Sequence, residues 1–485
     1  MSPENSKLLG QYYTPPEVAS TLLKWSVRSP RDRVLDPSCG EGNFLVHHPS
    51  AVGVEFCADA ARIARKMAPK SRVHNADFFT WAKGTNERFD VVAGNPPFIR
   101  YQQFCGKMRK EALRLAGESG IEFSALTSSW APFLAVAMGL LKRGGRAAFV
   151  VPAEIGHANY APALLEGLCR NFGRITVVAI REKLFPQLSQ DAWLLYATDY
   201  GGQADSMEFI AWDKFHSCPA PPSAKRQVSL TNWRRHGKRL RKFILPDEVL
   251  EWYADLASVD GVVRFNEIAR IRIGYVTGAN DFFHLRPSKA RQLRLAQRYL
   301  RVAIRRGEQL PAQGVDERVV RSWLDEDRPV LLLDLSQATR LPKGAIAYLE
   351  SQEGKKAQTR YKCRNRKPWY VVPDVTVPHA FLSYMSGSRP ALVSNLAGCV
   401  CTNSVHAVRL HQTRYLPNIQ KSWDSPVSVL SQELEGHSLG GGMLKLEPQE
   451  AGRVFLPADG LTFDKNLVKL SMEAVSTMRK WRHYG

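Results

Sequence analysis

The chain has 485 residues, 44% of them hydrophobic, and its 67 Lys and Arg against 46 Asp and Glu give a formal net charge of +21. That length predicts about two or three domains, the apolar content excludes a disordered chain, and the basic surplus favours a polyanionic partner. The surplus is uneven: residues 1–215 hold 25 basic and 21 acidic side chains, and residues 216–485 hold the other 42 and 25.

The opening MSPENSKLLGQYYTPP lacks the apolar run of a secretory signal. From residue 31 to 200, short runs rich in β-branched residues (VLDP, AVGVEF, RVHNADFF, FDVVAGN, RAAFVVP, RITVVAI, DAWLLYATDY) read as strands. They alternate with helix-period stretches such as CADAARIARKMA and SALTSSWAPFLAVAMGLLK. This rhythm predicts an α/β fold, an open parallel sheet with helices on both faces, whose ligands bind at the carboxyl ends of strands near the switch in strand order. The most apolar window, Trp130 to Pro152, is broken by Lys142-Arg143-Gly144-Gly145 and reads as helix, turn and strand, not a membrane span. The proline-rich break Ser217–Gln227 predicts a linker. Beyond it the rhythm is lost among short strands, aromatics and the basic clusters Arg234–Lys242, Lys289–Arg306 and Lys355–Trp369. Eight cysteines, with no CxxC pair and no histidine clamp, predict reduced thiols, no zinc site and a soluble cytoplasmic protein.

Four strand ends carry polar chemistry. After the first, Asp36-Pro37-Ser38-Cys39-Gly40-Glu41-Gly42 supplies glycines that let backbone approach a ligand, or simply a tight turn. Glu55 ends the second, a carboxylate suited to ribose hydroxyls or merely solvated. Asp77 and Phe78 follow the third: an acceptor and an apolar face for a purine, or a helix cap and a core ring. The fourth runs into Asn95-Pro96-Pro97-Phe98, where prolines without N–H groups stiffen the backbone and leave carbonyls for an outside donor. Phe133 sits in an apolar helix, as a purine neighbour or as core.

The order DPSCGEG, GVE, NADF, NPPF resembles the S-adenosylmethionine-dependent amino-methyltransferases of DNA. Tyr13-Thr14-Pro15-Pro16-Glu17-Val18 is similar to the family's N-terminal motif, FLAVAMGLLKRGGRAAFVVPAEI to its helix and fifth strand, and Phe185-Pro186-Gln187 to its aromatic loop. With the cofactor motif first and a recognition domain last, the chain resembles the gamma, TaqI-like class, strongly over residues 11–200. The resemblance implies a Rossmann-like class I methyltransferase sheet and a mixed α+β C-terminal target-recognition domain. It assigns Tyr13, Thr14, Pro15, Asp36, Ser38, Gly40, Gly42, Glu55, Asp77, Phe78, Asn95 and Phe133 to S-adenosyl-L-methionine. It assigns the chemistry to Asn95 and Pro96 as acceptors for an exocyclic amine, Pro97 as their brace, and Phe98 and Phe185 as a sandwich around a flipped base. In that resemblance Asn-Pro-Pro followed by Phe implies the adenine-N6 form, though Asn alone does not exclude cytosine.

Domains are expected at 1–215 (catalytic), 216–244 (basic linker) and 245–485 (recognition). The expected partner is double-stranded DNA, with a separate restriction endonuclease or defence-system subunit, and the chain acts as a monomer at the nucleoid. Alternatives are methylation of an RNA base or of cytosine N4, a fused nuclease built on Asp334 and Glu353-Gly354-Lys355, and a DNA-binding module without activity. The +17 on residues 216–485 favours the DNA reading.

Overall fold

A computed structural model describes residues 14–99, 103–186, 190–223 and 226–484. The chain divides into two compact units, Met1–Leu250 and Glu251–Gly485.

The first unit is built on a nine-stranded sheet in the order β3-β2-β1-β4-β5-β7-β6-β8-β9. Its strands are β1 Val34–Asp36, β2 Ala51–Glu55, β3 Arg72–Asn75, β4 Phe89–Gly94, β5 Leu141–Pro152, β6 Phe172–Ile180, β7 Ala192–Tyr200, β8 Ser206–Trp212 and β9 Arg226–Ser229. All seven expected strands form. β3, β2, β1, β4 and β5 run parallel, while β7 is antiparallel to both β5 and β6. The chain moves outward from β1 to β3 and then returns to β4 on the other side of β1. That reversal opens a crevice at the carboxyl ends of β1 and β4.

The sheet is buried on both faces, as parallel strands demand. On one face Val91, Ala93, Ala148, Val150, Leu194 and Tyr196 form a core with Val18, Leu22 and Trp25 of helix α1 (Pro16–Ser26). Alternate residues such as Val92, Phe149, Val151 and Leu195 are equally buried. Helix α2 (Ala58–Met67) joins β2 to β3, α3 (Phe78–Gly84) follows β3, and α4 (Trp130–Met138) precedes β5. Every residue of α4 is buried, so it is apolar all round.

The expected linker 216–244 needs correction. Arg226–Ser229 pairs antiparallel with β8 as the ninth strand, and Trp233 and Phe243 behind it are buried. Four residues with only Val228 inward are too short a pattern to read as a strand from sequence.

The second unit is mixed. One antiparallel sheet orders Ala269–Ile273, Val405–Leu410, Ala380–Ser383 and Leu392–Ser394. Another orders His284–Leu285, Leu331–Leu333, Leu300–Ile304 and Val400–Cys401, its last pair parallel. Helices Pro426–Glu435 and Lys465–Trp481 are joined through Glu433, which accepts from Arg479 and, bidentately at 2.9 Å, from the fully buried Arg482. Among the described residues no helix is long and apolar enough to cross a membrane.

Candidate active site

The crevice is lined first by carboxylates. Asp36 ends β1 with 1% exposure and accepts the Ser38 N–H at 3.1 Å. It has no cationic partner among the described residues. Burial raises its pKa to about 8, against the lowering by the Ser38 amide and with a further push from Glu55. Glu55, also buried, accepts from the amides of Gly40 at 2.9 Å and Cys57 at 2.7 Å. Its carboxylate therefore fixes the loop after β1 to the end of β2. Gly42 has φ +99°, and a Cβ there would lie 3.2 Å from Ala64 Cα of α2, so this turn requires glycine. Thr14 is buried, and its carbonyl accepts from Asn43 Nδ2 at 2.8 Å, which ties the segment before α1 to the same loop. Pro15 stands at the start of α1. Tyr13 and Gln187 lie outside the described residues.

Asp77 does what strand-end aspartates commonly do. Its Oδ1 accepts from Thr80 N at 2.9 Å and Thr80 Oγ1 at 2.8 Å, capping α3. Phe78 and Phe133 are both buried, with centroids 4.5 Å apart, in a cluster that includes Phe79. The structure brings these two predicted residues together.

The turn after β4 is braced from both sides. Ser38 Oγ donates to Asn95 O at 2.9 Å. Ser129 Oγ donates to Pro97 O at 2.6 Å and accepts from Ile99 N at 2.9 Å, while Ser129 N donates to Ile99 O at 3.0 Å. Of the three successive carbonyls, the outer two are thus occupied, and Pro96 O accepts no hydrogen bond from the described residues. Asn95 Oδ1 is shielded from solvent. Phe98 is half-buried and makes no ring contact with another described aromatic. Gly94 sits under Asp36: a Cβ there would come within 2.6 Å of Asp36 Oδ1.

Ser129 was not among the residues expected here. As the residue before α4 it reads as an N-cap, yet it makes no cap bond, because its helical backbone turns the hydroxyl toward the turn. Next to it, Trp130 Nε1 donates to Tyr160 OH at 2.9 Å, and Tyr160 OH donates to Glu154 Oε2 at 2.5 Å. Gln190 Nε2 donates to Glu154 Oε1 at 3.0 Å. Burial holds the Tyr160 hydroxyl well above its ordinary pKa, and Glu154 adds to the rise, so it remains a donor.

Phe185, expected as the second face of the sandwich, packs in the core. It is 2% exposed and belongs to the apolar core with Ile180, Leu184 and Ala192. In this structure its ring packs within that core. The nuclease pattern also dissolves. Glu353 and Lys355 lie on a helix, Gln352–Gln358, while Asp334 Oδ1 accepts from the amide and hydroxyl of Ser336.

Comparison with known proteins bears on both units. The family described as Type II methyltransferase M.Eco57I, C-terminal domain, matches residues 237–481, and N-6 DNA Methylase matches residues 1–199. The chain is 20% identical over 425 residues to the Type II methyltransferase M.AccI of Acinetobacter calcoaceticus, covering 84% of this chain and 77% of that protein. It is 28% identical over 156 residues to a tRNA1(Val) (adenine(37)-N6)-methyltransferase of Enterobacter sp. (strain 638), covering 30% of this chain and 60% of that one. The solved Type IIL restriction-modification enzyme MmeI in complex with DNA is similar in fold, with a TM-score of 0.51 at 12% identity over 93% of this chain. The match spans 64% of MmeI, less than two thirds of its length.

Proposed function

This chain belongs to the N6-adenine DNA methyltransferases with a C-terminal domain of the Type II M.Eco57I kind, and from that premise we propose that it methylates the exocyclic N6 of an adenine swung out of duplex DNA. The setting is a restriction-modification or phage-defence system and a defined recognition sequence. The observation that carries this reading is the turn Asn95–Phe98, whose braced backbone leaves Pro96 O as the one of three successive carbonyls that accepts no hydrogen bond from the described residues.

An aryl amine is a weak nucleophile because its lone pair is delocalised into the ring. Two fixed acceptors, Asn95 Oδ1 and Pro96 O, favour a pyramidal nitrogen and offset the positive charge that grows on it during transfer. They bind the transition state better than the flat ground state. Two serines hold the flanking carbonyls, so the Pro96 carbonyl is set before the base arrives and the remaining requirement is alignment. Extruding the base costs a few kcal/mol. Phe98 recovers roughly 1–3 kcal/mol of that by stacking.

The methyl donor is S-adenosyl-L-methionine, which when bound supplies an electrophilic methyl on a sulfonium. The residues present suit it. Asp36 is a buried carboxyl without a cation among the described residues, matching a positively charged donor, and Gly40 and Gly42, both at positive φ, put backbone without a Cβ on either side of Glu41. Thr14, Pro15, Ser38 and Glu55 frame the same crevice end. Phe78 and Phe133 offer an apolar edge, with Asp77 beside them. We read the segment before α1 through β8 as catalytic and the second unit as the target reader.

The test is expression in a methylation-free bacterial host followed by modification-sensitive sequencing of its genome. N6-methyladenine at one recurrent motif is expected. An unmodified genome with methylated cellular RNA would replace this reading with RNA-base methylation.

A further inference from the structure

The cations of the second unit fall into two kinds. Arg305 with Asp281, Arg328 with Glu326, Arg389 with Asp424 and Lys421 with Asp459 are ion-paired. The stretch from Lys355 to Lys367 differs, with seven Lys and Arg and no Asp or Glu in thirteen residues. Lys355, Lys356, Arg360, Lys362 and Arg364 are all exposed, and none has a carboxylate partner among the described residues. Concentrating like charge in this way costs free energy through self-repulsion. A surface needed only for solubility gains more from interspersed signs.

Two further features separate this stretch from an ordinary solvated run. It is held in place: Cys363 is buried with Sγ donating to Thr277 O at 3.5 Å, and the Arg366 guanidinium donates to Thr277 O at 2.7 Å and to Val276 O. Gly278, at φ +81°, passes so close that a Cβ there would meet Lys362 Cβ at 2.6 Å. The charges therefore ride on a fixed backbone and lose little freedom when a partner arrives. It also presents an aromatic to solvent. Tyr361 is 66% exposed, with the Arg364 guanidinium one helical turn on, 5.4 Å from its ring centroid. A large ring left in water adds nothing to the core. Oriented by a guanidinium, it places a hydroxyl donor among five cations.

We propose that residues 355–364 form a phosphate-backbone clamp for duplex DNA, with the five Lys and Arg pairing phosphates and the Tyr361 hydroxyl donating to a phosphate oxygen. The inference rests on the DNA reading given above and deepens it by naming the surface. Such contacts fix the position of a duplex without reading its sequence. The clamp therefore contributes equally to cognate and unrelated sites.

The test is binding of a labelled duplex to the full chain across a salt series, for the wild type, for K355Q/K356Q/R360Q, and for a control, R328Q/R389Q/K421Q, that removes three paired cations. Each lost phosphate contact lowers the slope of log affinity against log salt by about 0.9, so the clamp variant's slope falls by about 2–3. Its affinity drops roughly 10- to 100-fold at 0.1 M salt, equally for cognate and unrelated duplexes. In methylation assays KM for DNA rises while kcat at saturating DNA holds. K355R/K356R/R360K, which keeps the charge, restores binding. An unchanged slope, an equal fall in the control, or a loss confined to the cognate duplex would overturn the clamp. Wild-type methylation of DNA with an unchanged variant slope removes the clamp and keeps the function. A salt-dependent clamp in a protein that leaves DNA unmethylated does the reverse.

Discussion

The Asn95–Phe98 turn and the Lys355–Arg364 stretch treat their polar groups in opposite ways. At the turn, serine hydroxyls occupy the carbonyls on either side of Pro96, so one acceptor is singled out. Along the basic stretch five exposed cations have no carboxylate partner among the described residues, while Ala357 and Cys363 are buried in the core and Arg366 just beyond is bonded to Thr277 O. Catalysis depends on where a single atom sits, so its neighbours are satisfied in advance. Backbone binding depends on summed charge, so rigidity is needed only in the support. One region specifies and the other accumulates.

That contrast can be broken most directly at Asn95. Asn95→Ala removes an acceptor from the developing charge, and kcat is expected to fall by about 10²–10³-fold, the scale of one preorganised group, with donor binding retained. Normal methylation by this variant would show that the turn is not the acceptor site.

Phe185→Ala is expected to destabilise the protein by about 3–5 kcal/mol through the cavity it opens, measured as a lowered midpoint in denaturant. Phe185→Leu is expected to restore most of that stability together with full activity per folded molecule. A leucine variant that folds well but has lost kcat would return Phe185 to the base pocket.

Ser129→Ala deletes both hydroxyl bonds to the turn. We expect roughly a ten-fold loss in kcat and about 1–3 kcal/mol of stability, with Ser129→Thr recovering part of each. Single-turnover kinetics with KM for DNA unchanged would separate positioning from binding.

The smallest expected effect is on pH dependence. Asp36 is held protonated up to about pH 8, so below that value it is neutral toward a cationic donor and above it ionised. Affinity for S-adenosylmethionine should rise with pH, by at most about ten-fold per unit, and level off above about 8, with proton release on binding. Titration calorimetry in buffers of different ionisation enthalpy measures that proton. Asp36→Asn should flatten the profile.

Most of the catalytic sheet was legible because each strand ends at a residue whose chemistry marks its position. Asp36, Glu55, Asp77 and Asn95 follow β1 to β4 in turn, and the apolar runs between them leave little choice of register. Ser129 was not legible, since its meaning depends on carbonyl and amide groups about thirty positions upstream. Phe185 misled because its neighbours Glu182, Lys183 and Gln187 are polar, and the direction of a ring is decided by tertiary packing, not by the charge beside it. Asp77 carried two readings, and the cap to Thr80 is the one whose geometry is visible. β9 is too short to announce itself.

Ser38 belongs to the loop after β1, yet its hydroxyl holds the carbonyl that precedes Pro96. The two half-sites are therefore mechanically continuous across one hydrogen bond. Any order imposed on the donor loop reaches the acceptor turn, and the free energy so transmitted is the same in both directions. Whatever factor the donor adds to the affinity for DNA, DNA returns to the donor.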